Sequence, residues 1–253
     1  MQKRCVIVTG ASSGIGRATA LRFAAAKENI VLVGRNHETL RAVGDEIKTR
    51  GAEHLVVAAD LYADGTAQKI STAAIEKFSR LDVLVNAAGI IANGTIENTT
   101  LAAWDEMMNI NVRVIFQLMQ AATPALIQTQ GNIVNVSSVT GTRSFPNVLA
   151  YCVSKAALDQ LTRCAALELA AKGVRVNAVN PGVVVTNLHR RSGFDEQKYA
   201  TFLEHSKTTH PLGRVGTPEE IAELIYFLAS EKAGWITGET ISIDGGRQLT
   251  CAR

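Results

Sequence analysis

The sequence predicts an α/β domain in which a doubly wound parallel sheet of about seven strands carries helices on both faces. Two observations lead to this fold class. Short runs rich in valine and isoleucine alternate with longer stretches of helical periodicity, which is the order of strand–helix–strand units. The runs are also continuously apolar, as is typical of strands buried on both faces. With 253 residues, 47% of them apolar and 19% charged, the chain can bury one large core.

The strands and helices can be assigned in order along the chain. Strands are expected at residues 5–9, 30–33, 54–59, 83–86, 133–136, 174–179 and 240–243. Helices are expected at residues 14–27, 37–50, 64–79, 101–129 (broken within its length), 151–171 and 217–230. No internal repeat, low-complexity segment or Pro/Gly/Ser-rich linker interrupts this order, so residues 1–253 are expected to form a single domain.

Residues 187–210 depart from the alternation of strands and helices. They mix charges, aromatic residues and histidines without a clear helical or strand period. Long irregular segments at the carboxyl ends of parallel strands are where α/β proteins bind substrates. We therefore expect an irregular substrate-binding lid here, the alternative being a solvated connector.

Charge and cysteine usage limit the partners and the compartment. Lysines and arginines number 26 against 23 aspartates and glutamates, with no long run of like charges, so nucleic acid and anionic membrane are not expected as partners. The four cysteines form no Cys-x-x-Cys pair and the histidines show no metal-ligand spacing. We expect a cytoplasmic protein with free thiols and no metal. Residues 114–142 are uncharged, but their amides would be costly in lipid, so no membrane span is expected.

A glycine-rich turn follows the first strand and opens the first helix. Its three glycines allow a tight turn and let a pyrophosphate approach backbone N–H groups at the helix N-terminus, where the helix dipole favours an anion. A plain glycine-rich loop is the alternative, but a position between strand and helix is typical of a Rossmann-type dinucleotide-binding fold. The expected cofactor contacts in this turn are Gly10, Ser12, Ser13, Gly14, Ile15 and Gly16.

Four further motifs follow in order: Asn86-Ala87-Ala88-Gly89, Ser138 ahead of Tyr151-x-x-x-Lys155, Asn180-Pro181-Gly182 and Asp244-Gly245-Gly246. Together with the Thr-Gly-x-x-x-Gly-x-Gly turn, they resemble the short-chain dehydrogenase/reductase family from about residue 3 to residue 246. Residues 211–214 and 217–220, with the Asp-Gly-Gly motif, resemble its 3-oxoacyl-carrier-protein reductase-like branch. The resemblance implies an NAD(P)-dependent oxidoreductase acting on CH–OH or C=O groups.

The resemblance also implies contacts with the cofactor. Asp60 would contact the adenine amino group with Leu61 beside it, although this aspartate could instead cap the next helix. Thr186 would hydrogen-bond the nicotinamide carboxamide, or be an ordinary hydroxyl at a strand end. Asn86 and Ala88 would border the adenosine ribose. The remaining implied cofactor contacts are Gly89, Pro181, Gly182, Val184, Tyr151 and Lys155.

Charge at the end of the second strand predicts the cofactor preference. NAD-binding Rossmann folds usually place an acidic residue there to accept hydrogen bonds from the ribose hydroxyls. This chain has Gly34 and Arg35 instead, so no carboxylate repels a 2′-phosphate and a guanidinium is available to bind it. We expect NADP(H) to be preferred over NAD(H); the alternative is that Arg35 stacks on the adenine while NAD binds. Arg17 could add charge or lie solvated at the surface.

Tyr151 and Lys155 lie four residues apart at the start of a predicted helix, so their side chains share one face. Such a spacing is often only an amphipathic surface pair, but the resemblance implies that Tyr151 is the general acid/base and that Lys155 holds the nicotinamide ribose. A lysine ammonium beside the phenol, together with an oxidised nicotinamide ring nearby, favours the phenolate and is expected to lower the pKa of Tyr151. Ser138, which the Ser-Val-x-Gly motif selects over Ser137, would hydrogen-bond the substrate oxygen.

Asn111 completes the candidate catalytic set of Asn111, Ser138, Tyr151 and Lys155. It ends a segment, residues 104–111, that resembles the family segment whose last asparagine holds a water linked to the lysine. Asn109 is the nearby competitor, and a structural asparagine in a helix kink is the plain alternative.

The site predicts an NADP(H)-dependent oxidoreductase that transfers a hydride between nicotinamide and a carbonyl or secondary alcohol. Two alternatives remain open: a 3-oxoacyl-carrier-protein reductase, and a dinucleotide-binding regulator without catalysis. The substrate is expected to be a small molecule, and three aromatic residues of the lid could cover an apolar ketone: Phe194, Tyr199 and Phe202.

Two features bear on larger partners. The adjacent Arg190 and Arg191 could dock an acidic acyl carrier. The helix starting at Tyr151 is apolar over much of its circumference, which requires partners on more than one side. Members of the family that the chain resembles often pair this helix and the preceding long one across a dyad, forming dimers and tetramers, and from this resemblance we expect a homotetramer.

Overall fold

A single parallel sheet of seven strands organises the chain. The computed structural model describes residues 3–250, and the sheet order is β3-β2-β1-β4-β5-β6-β7. Because the order reverses direction between β1 and β4, a crevice opens there at the carboxyl ends of the strands. The predicted doubly wound α/β fold is confirmed. The strands are β1 (Cys5–Thr9), β2 (Asn29–Gly34), β3 (His54–Ala58), β4 (Val83–Asn86), β5 (Asn132–Val136), β6 (Arg175–Pro181) and β7 (Thr240–Ile243).

Helices cover both faces of the sheet. The expected break within 101–129 is a π-helical turn, Asn109–Arg113, that joins two α-helices without ending the helical run. The helices are α1 (Gly14–Ala25), α2 (His37–Thr49), α3 (Thr66–Phe78), α4 (Leu101–Met108), α5 (Val114–Thr129), α6 (Leu149–Leu169), α7 (Leu188–Arg191), α8 (Glu196–Thr209) and α9 (Pro218–Leu228).

The continuous apolar strands supply two cores, one on each face. Successive side chains of a strand point to opposite faces, so Val6 and Val8 of β1 pack into one cluster and Ile7 into the other. The first cluster lies beneath α1 and α9, for example against Ile225, and the second beneath α5 and α6, for example against Leu118. The strand side chains are buried on both faces, so the sheet holds the loops at its carboxyl edge in fixed positions.

The expectation of an irregular segment at 187–210 is wrong. Residues 188–191 form the short helix α7 and residues 196–209 form the four-turn helix α8, whose first turn is capped by Asp195 accepting from the backbone N–H of Lys198 at 2.7 Å. In α8 only Tyr199 and Ser206 are buried. A helix with so few buried positions has no clear apolar periodicity in its sequence. The sequence pattern therefore did not indicate α8.

One helical run, Leu101–Thr129, is long and apolar enough to cross a membrane by length and composition alone. It packs within the domain: Ile115, Leu118 and Met119 are buried in the core cluster that also holds Leu84 of β4. This is how a core helix packs. The absence of a membrane span therefore stays a prediction.

Candidate active site

A cleft of about 980 Å³ opens at the carboxyl edge of the sheet. The turn after β1 forms one end, and its shape fits the pyrophosphate of a dinucleotide. Gly10 has φ of +66° and Gly14 has φ of +54°, and a Cβ on Gly16 would lie 2.4 Å from the carbonyl oxygen of Gly10. The first turn of α1 contains no acidic residue, so its N–H groups face the cleft without a competing carboxylate.

Most residues expected to touch the cofactor line this cleft. They are Gly10, Ser12, Ser13, Gly14, Ile15, Gly16, Arg35, Asp60, Leu61, Ala88, Gly89, Tyr151, Lys155, Pro181, Gly182, Val184 and Thr186.

Asn86 was expected to line the cleft, but its side chain does not. Its side chain is fully buried, and its Nδ2 donates to Oδ1 of Asn135 at 2.9 Å. The two asparagines are register partners on β4 and β5, and Asn135 in turn donates to Oγ1 of Thr162 on α6 at 2.9 Å. Asn86 therefore ties the sheet to the helix that carries Tyr151, rather than bordering a ribose with its side chain.

The adenine end of the cleft carries an exposed cation. Arg35 makes no ion pair with any residue from 3 to 250, whereas Arg17 is bound to Glu46 at 2.6 Å. Arg17 is thus a paired surface arginine, whereas the Arg35 guanidinium has no carboxylate partner among residues 3–250. Asp60 does not cap α3, whose N-cap is Gly65; instead it accepts from the N–H of Tyr62 at 3.1 Å.

Tyr151 and Lys155 project from the first turns of α6 into the cleft and are both buried. Burial raises the pKa of Tyr151 to about 12, against the lowering effect of a hydrogen bond with Ser138. In the protein alone, desolvation has the largest effect on the pKa of Tyr151, and no lowering of this pKa by Lys155 is found. Lys155 Nζ lies 5.7 Å from the Tyr151 ring centre and donates to the carbonyl oxygen of Val136 at 2.9 Å.

The two serines after β5 point in opposite directions, as strand alternation predicts. Ser138 Oγ accepts from the N–H of Thr140 at 3.1 Å and hydrogen-bonds Tyr151. Ser137 Oγ instead donates to the carbonyl oxygen of Lys155 at 3.3 Å. Ser138 thus faces the place where a substrate oxygen would meet the tyrosine, and Ser137 braces α6.

Asn111 lies in the π-helical turn and is fully buried. Its Oδ1 accepts from the N–H of Ile90 at 3.0 Å, and its Nδ2 donates to the carbonyl oxygen of Ile90 at 3.0 Å and to Ser154 Oγ at 3.1 Å. A Cβ on Gly89 would lie 3.1 Å from Asn111 Oδ1 and 3.7 Å from Lys155 Nζ. Asn111 and Lys155 therefore border the same small space, and Asn111 also fixes the loop after β4.

The lid contributes contacts that the sequence did not indicate. Tyr199 is buried, and its hydroxyl accepts from the N–H of Thr186 at 3.2 Å and donates to the carbonyl oxygen of Thr186 at 2.9 Å. His210 Nε2 accepts from the N–H of Val183 at 3.1 Å. Both anchor the segment after β6 to α8. These pairs are distant in sequence and no motif marks them.

The two adjacent arginines of the lid have different partners. Arg190 is bound to Glu196 at 2.7 Å and lies over the Tyr199 ring, whereas Arg191 Nη2 donates to Ser13 Oγ in the glycine-rich turn at 3.0 Å. Only Arg191 lines the cleft. The two guanidinium groups therefore face different parts of the protein.

An aromatic cluster forms the lid side of the substrate end. The Phe202 ring lies 4.4 Å from His189 and 5.6 Å from Phe194, centre to centre. All three line the cleft, whereas Tyr199 does not. Phe194 and Phe202 thus line the cleft, and their contact with an apolar substrate stays a prediction. Tyr199 instead holds residues 187–210 to Thr186.

The buried lysine gives the site a pH dependence. Burial lowers the pKa of Lys155 to about 8, against an opposing effect of Asp159. Because a charged donor binds ribose hydroxyls more strongly than a neutral one, kcat/KM for NADPH should be flat below pH about 8 and fall as the ammonium loses its proton above it. Tyr151, with a pKa of about 12, adds no step in that range.

A pH profile of kcat/KM measures this directly. The residual activity of Lys155→Arg, which keeps its charge throughout, should lack the fall. A fall that begins only near pH ~10, as for an ordinary lysine, would contradict the effect of burial.

Among residues 3–250, no group of histidine, cysteine and acidic side chains is arranged to hold a metal ion. The side chains of Ser138, Tyr151 and Lys155 line the cleft together. A nicotinamide cofactor fits the cleft at the glycine-rich turn, and the candidate general acid lies on the wall formed by α6.

Comparison with known proteins places this geometry in a family. The family model described as Enoyl-(Acyl carrier protein) reductase matches residues 10–248. The 3-oxoacyl-[acyl-carrier-protein] reductase of Staphylococcus aureus (strain MW2) is 37% identical over 248 residues, covering 97% of this chain and 98% of that protein. The same enzyme of Thermotoga maritima is 36% identical over 252 residues, covering 97% and 98%.

Solved structures agree. A short-chain dehydrogenase/reductase of unknown function from Caenorhabditis elegans, solved with cofactor, superposes with a TM-score of 0.94 at 34% identity over 99% of this chain and 97% of that one. A short-chain type dehydrogenase/reductase from Mycobacterium marinum gives 0.91 at 31% identity over 98% and 97%. These findings do not support the alternative of a regulator without catalysis. The chain belongs to the short-chain dehydrogenase/reductase family and is a nicotinamide-dependent oxidoreductase of CH–OH and C=O groups.

Proposed function

We propose that this protein is an NADP(H)-dependent reductase of a small ketone, working in reverse as a secondary-alcohol dehydrogenase. The observation that carries the proposal is the convergence of Ser138, Tyr151 and Lys155 on one wall of the cleft, with the glycine-rich turn at its other end. The bound nicotinamide supplies or accepts the hydride. Ser138 orients the carbonyl oxygen and stabilises charge that develops on it.

Tyr151 donates the proton that the carbonyl oxygen takes up during reduction. Its raised pKa keeps the phenol protonated at neutral pH, so it can donate to a carbonyl oxygen during reduction. Lys155 holds the nicotinamide ribose, and Asn111 lies beside it to bind a water through which the proton is replaced. The buried position of all these groups excludes bulk water and strengthens their electrostatic effect.

The preference for NADP(H) is supported by the end of β2. Arg35 is exposed, faces the cleft and forms no ion pair within the described chain. Gly34 places no acidic side chain at this strand end, where NAD-binding folds usually carry one. A 2′-phosphate beside Arg35 would gain a charge-assisted hydrogen bond.

A ketone panel tests the reaction. NADPH consumption should be seen with at least one class of reactive ketone or diketone, and NADH should serve less well. Failure of every neutral and anionic ketone, with NADPH shown to bind, would contradict the proposal.

A second candidate is reduction of a 3-oxoacyl thioester borne by an acyl carrier. The relatives from Staphylococcus aureus and Thermotoga maritima carry that name and match nearly the whole chain. Docking of an acidic carrier depends on exposed charge, so its KM should rise steeply with salt, whereas that of a small ketone should hardly change. A salt-independent KM, or no turnover of the carrier-borne substrate, would remove this candidate.

We also propose that residues 187–210 act as a lid whose closure is coupled to cofactor binding. Arg191 reaches Ser13 at the edge of the phosphate-binding turn and carries a charge without an acidic partner among residues 3–250. Closure would place this guanidinium beside the pyrophosphate and exclude water from the carbonyl.

Arg191→Ala should weaken NADPH binding roughly tenfold, because it loses a charge-assisted hydrogen bond. Arg190→Ala is the matched control and should leave the affinity unchanged, since its guanidinium faces Glu196. Fluorescence titration of NADPH measures both. Equal effects of the two substitutions would contradict the assignment of Arg191 to the cofactor.

We further propose a homotetramer. Phe116 of α5, with Val153 and Leu167 of α6, is among the large apolar side chains left exposed on the single chain. Exposed apolar residues on neighbouring helices mark an interaction surface. Both α5 and α6 carry such residues. Sedimentation at micromolar concentration should give a tetrameric mass, and a monomer would refute it.

A cytoplasmic location without nucleic-acid or membrane partners is also proposed. Cys5, Cys152 and Cys164 are free thiols, as in a reducing compartment, and Cys251 lies outside the described residues. The net charge of +3 is spread along the chain. Fractionation of tagged protein tests the location.

A further inference from the structure

Two arginines line the same cleft as the catalytic side chains. Arg143 follows β5 and Arg247 follows β7, and both line the cleft. Arg143 Nη1 donates to the carbonyl oxygen of Gln248 at 2.6 Å and to that of Thr250, which leaves the other nitrogens of its guanidinium uncommitted within the described chain. The turn after β7 therefore carries Arg247 and binds Arg143, whose charge lowers the pKa of Arg247.

The charge of this pair is not balanced by an acidic side chain in contact. Neither arginine forms an ion pair with a carboxylate of residues 3–250. The nearest acid in the turn, Asp244, is buried, and its two oxygens accept from the backbone N–H groups of Gly246 at 3.0 Å and Gln248 at 2.7 Å. Its carboxylate is thus already engaged by the backbone.

The arginines are also partly removed from water. Burial lowers the pKa of Arg247, with Asp244 raising it and Arg143 lowering it again. Arg247 Cζ lies 4.9 Å from the Phe145 ring, and its Nη1 donates to Thr209 Oγ1. Half-buried cations that repel one another are stabilised when an anion comes to lie between them.

Apolar side chains line the cleft along with these cations and the catalytic set. Ile91, Phe194 and Phe202 line it, with Phe145 next to Arg247. A ligand that matches these three kinds of surface has a carbonyl group, an apolar body and an anionic group.

We propose that Arg143 and Arg247 bind an anionic oxygen group of the substrate, a carboxylate or a phosphate, and so select acidic ketones over neutral ones. That the same ligand has a carbonyl at Tyr151 rests on the proposed function, whereas binding of an anion by the two arginines does not. Loss of one charge-assisted contact should reduce the affinity for such an anion roughly tenfold to a hundredfold.

Calorimetry with unreactive ligands tests the anion site without turnover. Hexanoate, pentyl phosphate and hexanamide are titrated into the full-length protein saturated with NADP(H). At least one anion should bind tenfold or more tightly than the amide, and the tighter of the two identifies the group. Arg247→Met should abolish the difference and Arg247→Lys should restore part of it. Arg190→Met, which removes a charge outside the cleft, should leave it unchanged.

Arg143→Met is the second variant, because Arg143 also holds the C-terminal turn and its loss could loosen that turn. If neither anion binds better than the amide, or if both methionine variants keep the preference, the anion site is wrong. Ketone turnover is read separately. Anion binding without reduction of any ketone would overturn the proposed reaction alone, and reduction of neutral ketones without an anion preference would overturn the anion site alone.

Discussion

Tyr151→Phe should lower kcat for ketone reduction roughly a hundredfold to ten-thousandfold, the range for loss of a general acid. The substitution removes only the hydroxyl that hydrogen-bonds Ser138 and keeps the ring that fills the wall of the cleft. The affinity for NADPH should therefore stay within about threefold of the wild-type value. Steady-state kinetics and fluorescence titration measure the two quantities on the same preparations.

Tyr226→Phe is the matched control. Tyr226 lies on α9, where its ring packs against Phe23 with ring centres 5.2 Å apart and beneath the guanidinium of Arg22, and it does not line the cleft. This variant should keep wild-type kcat. A Tyr151→Phe enzyme within tenfold of wild type would remove Tyr151 from the acid–base role.

Gly34→Asp should reverse or strongly narrow the preference for NADPH. A carboxylate at this position would repel the 2′-phosphate of NADP(H) and accept hydrogen bonds from the ribose hydroxyls of NAD(H). A new Cβ here would lie 3.3 Å from the buried side chain of Leu40, which must shift by a few tenths of an ångström to accept it. The ratio of kcat/KM for the two cofactors is the measured quantity.

Two companions separate charge from size. Gly34→Asn adds the same volume without the charge and should change the ratio far less. Arg35→Ala should raise the KM for NADPH roughly tenfold or more while leaving that for NADH nearly unchanged. Equal kcat/KM for both cofactors in the wild type, unaffected by Arg35→Ala, would contradict the assignment.

The local features of the site could be predicted from the sequence because each is written in consecutive residues. The glycine-rich turn combines a strand, three glycines at fixed spacing and a helix, and the positive φ of Gly10 and Gly14 explains two of those glycines. Tyr151 and Lys155 share a face of α6 because helical periodicity places residues four apart together. The parallel sheet could be predicted because continuously apolar runs are typical of strands buried on both faces.

Contacts between distant segments could not be predicted in this way. The bond from Arg191 to Ser13 joins residues 178 positions apart, and the pairing of Asn86 with Asn135 joins residues 49 positions apart. Neither has a local pattern. The pKa of Tyr151 also depends on burial by the whole fold, and the reasoning from Lys155 and an oxidised nicotinamide did not include that burial.

The central claim is that this cleft moves a hydride between NADP(H) and a carbonyl with Tyr151 supplying the proton. Mass spectrometry of the alcohol formed from NADPH deuterated at the reactive carbon of the nicotinamide tests it most directly. Wild-type protein should place one deuterium on the carbinol carbon, from one face of the nicotinamide only, and Tyr151→Phe should form far less of the same labelled product. Protein that binds NADPH but transfers no deuterium to any ketone of the panel would contradict the claim.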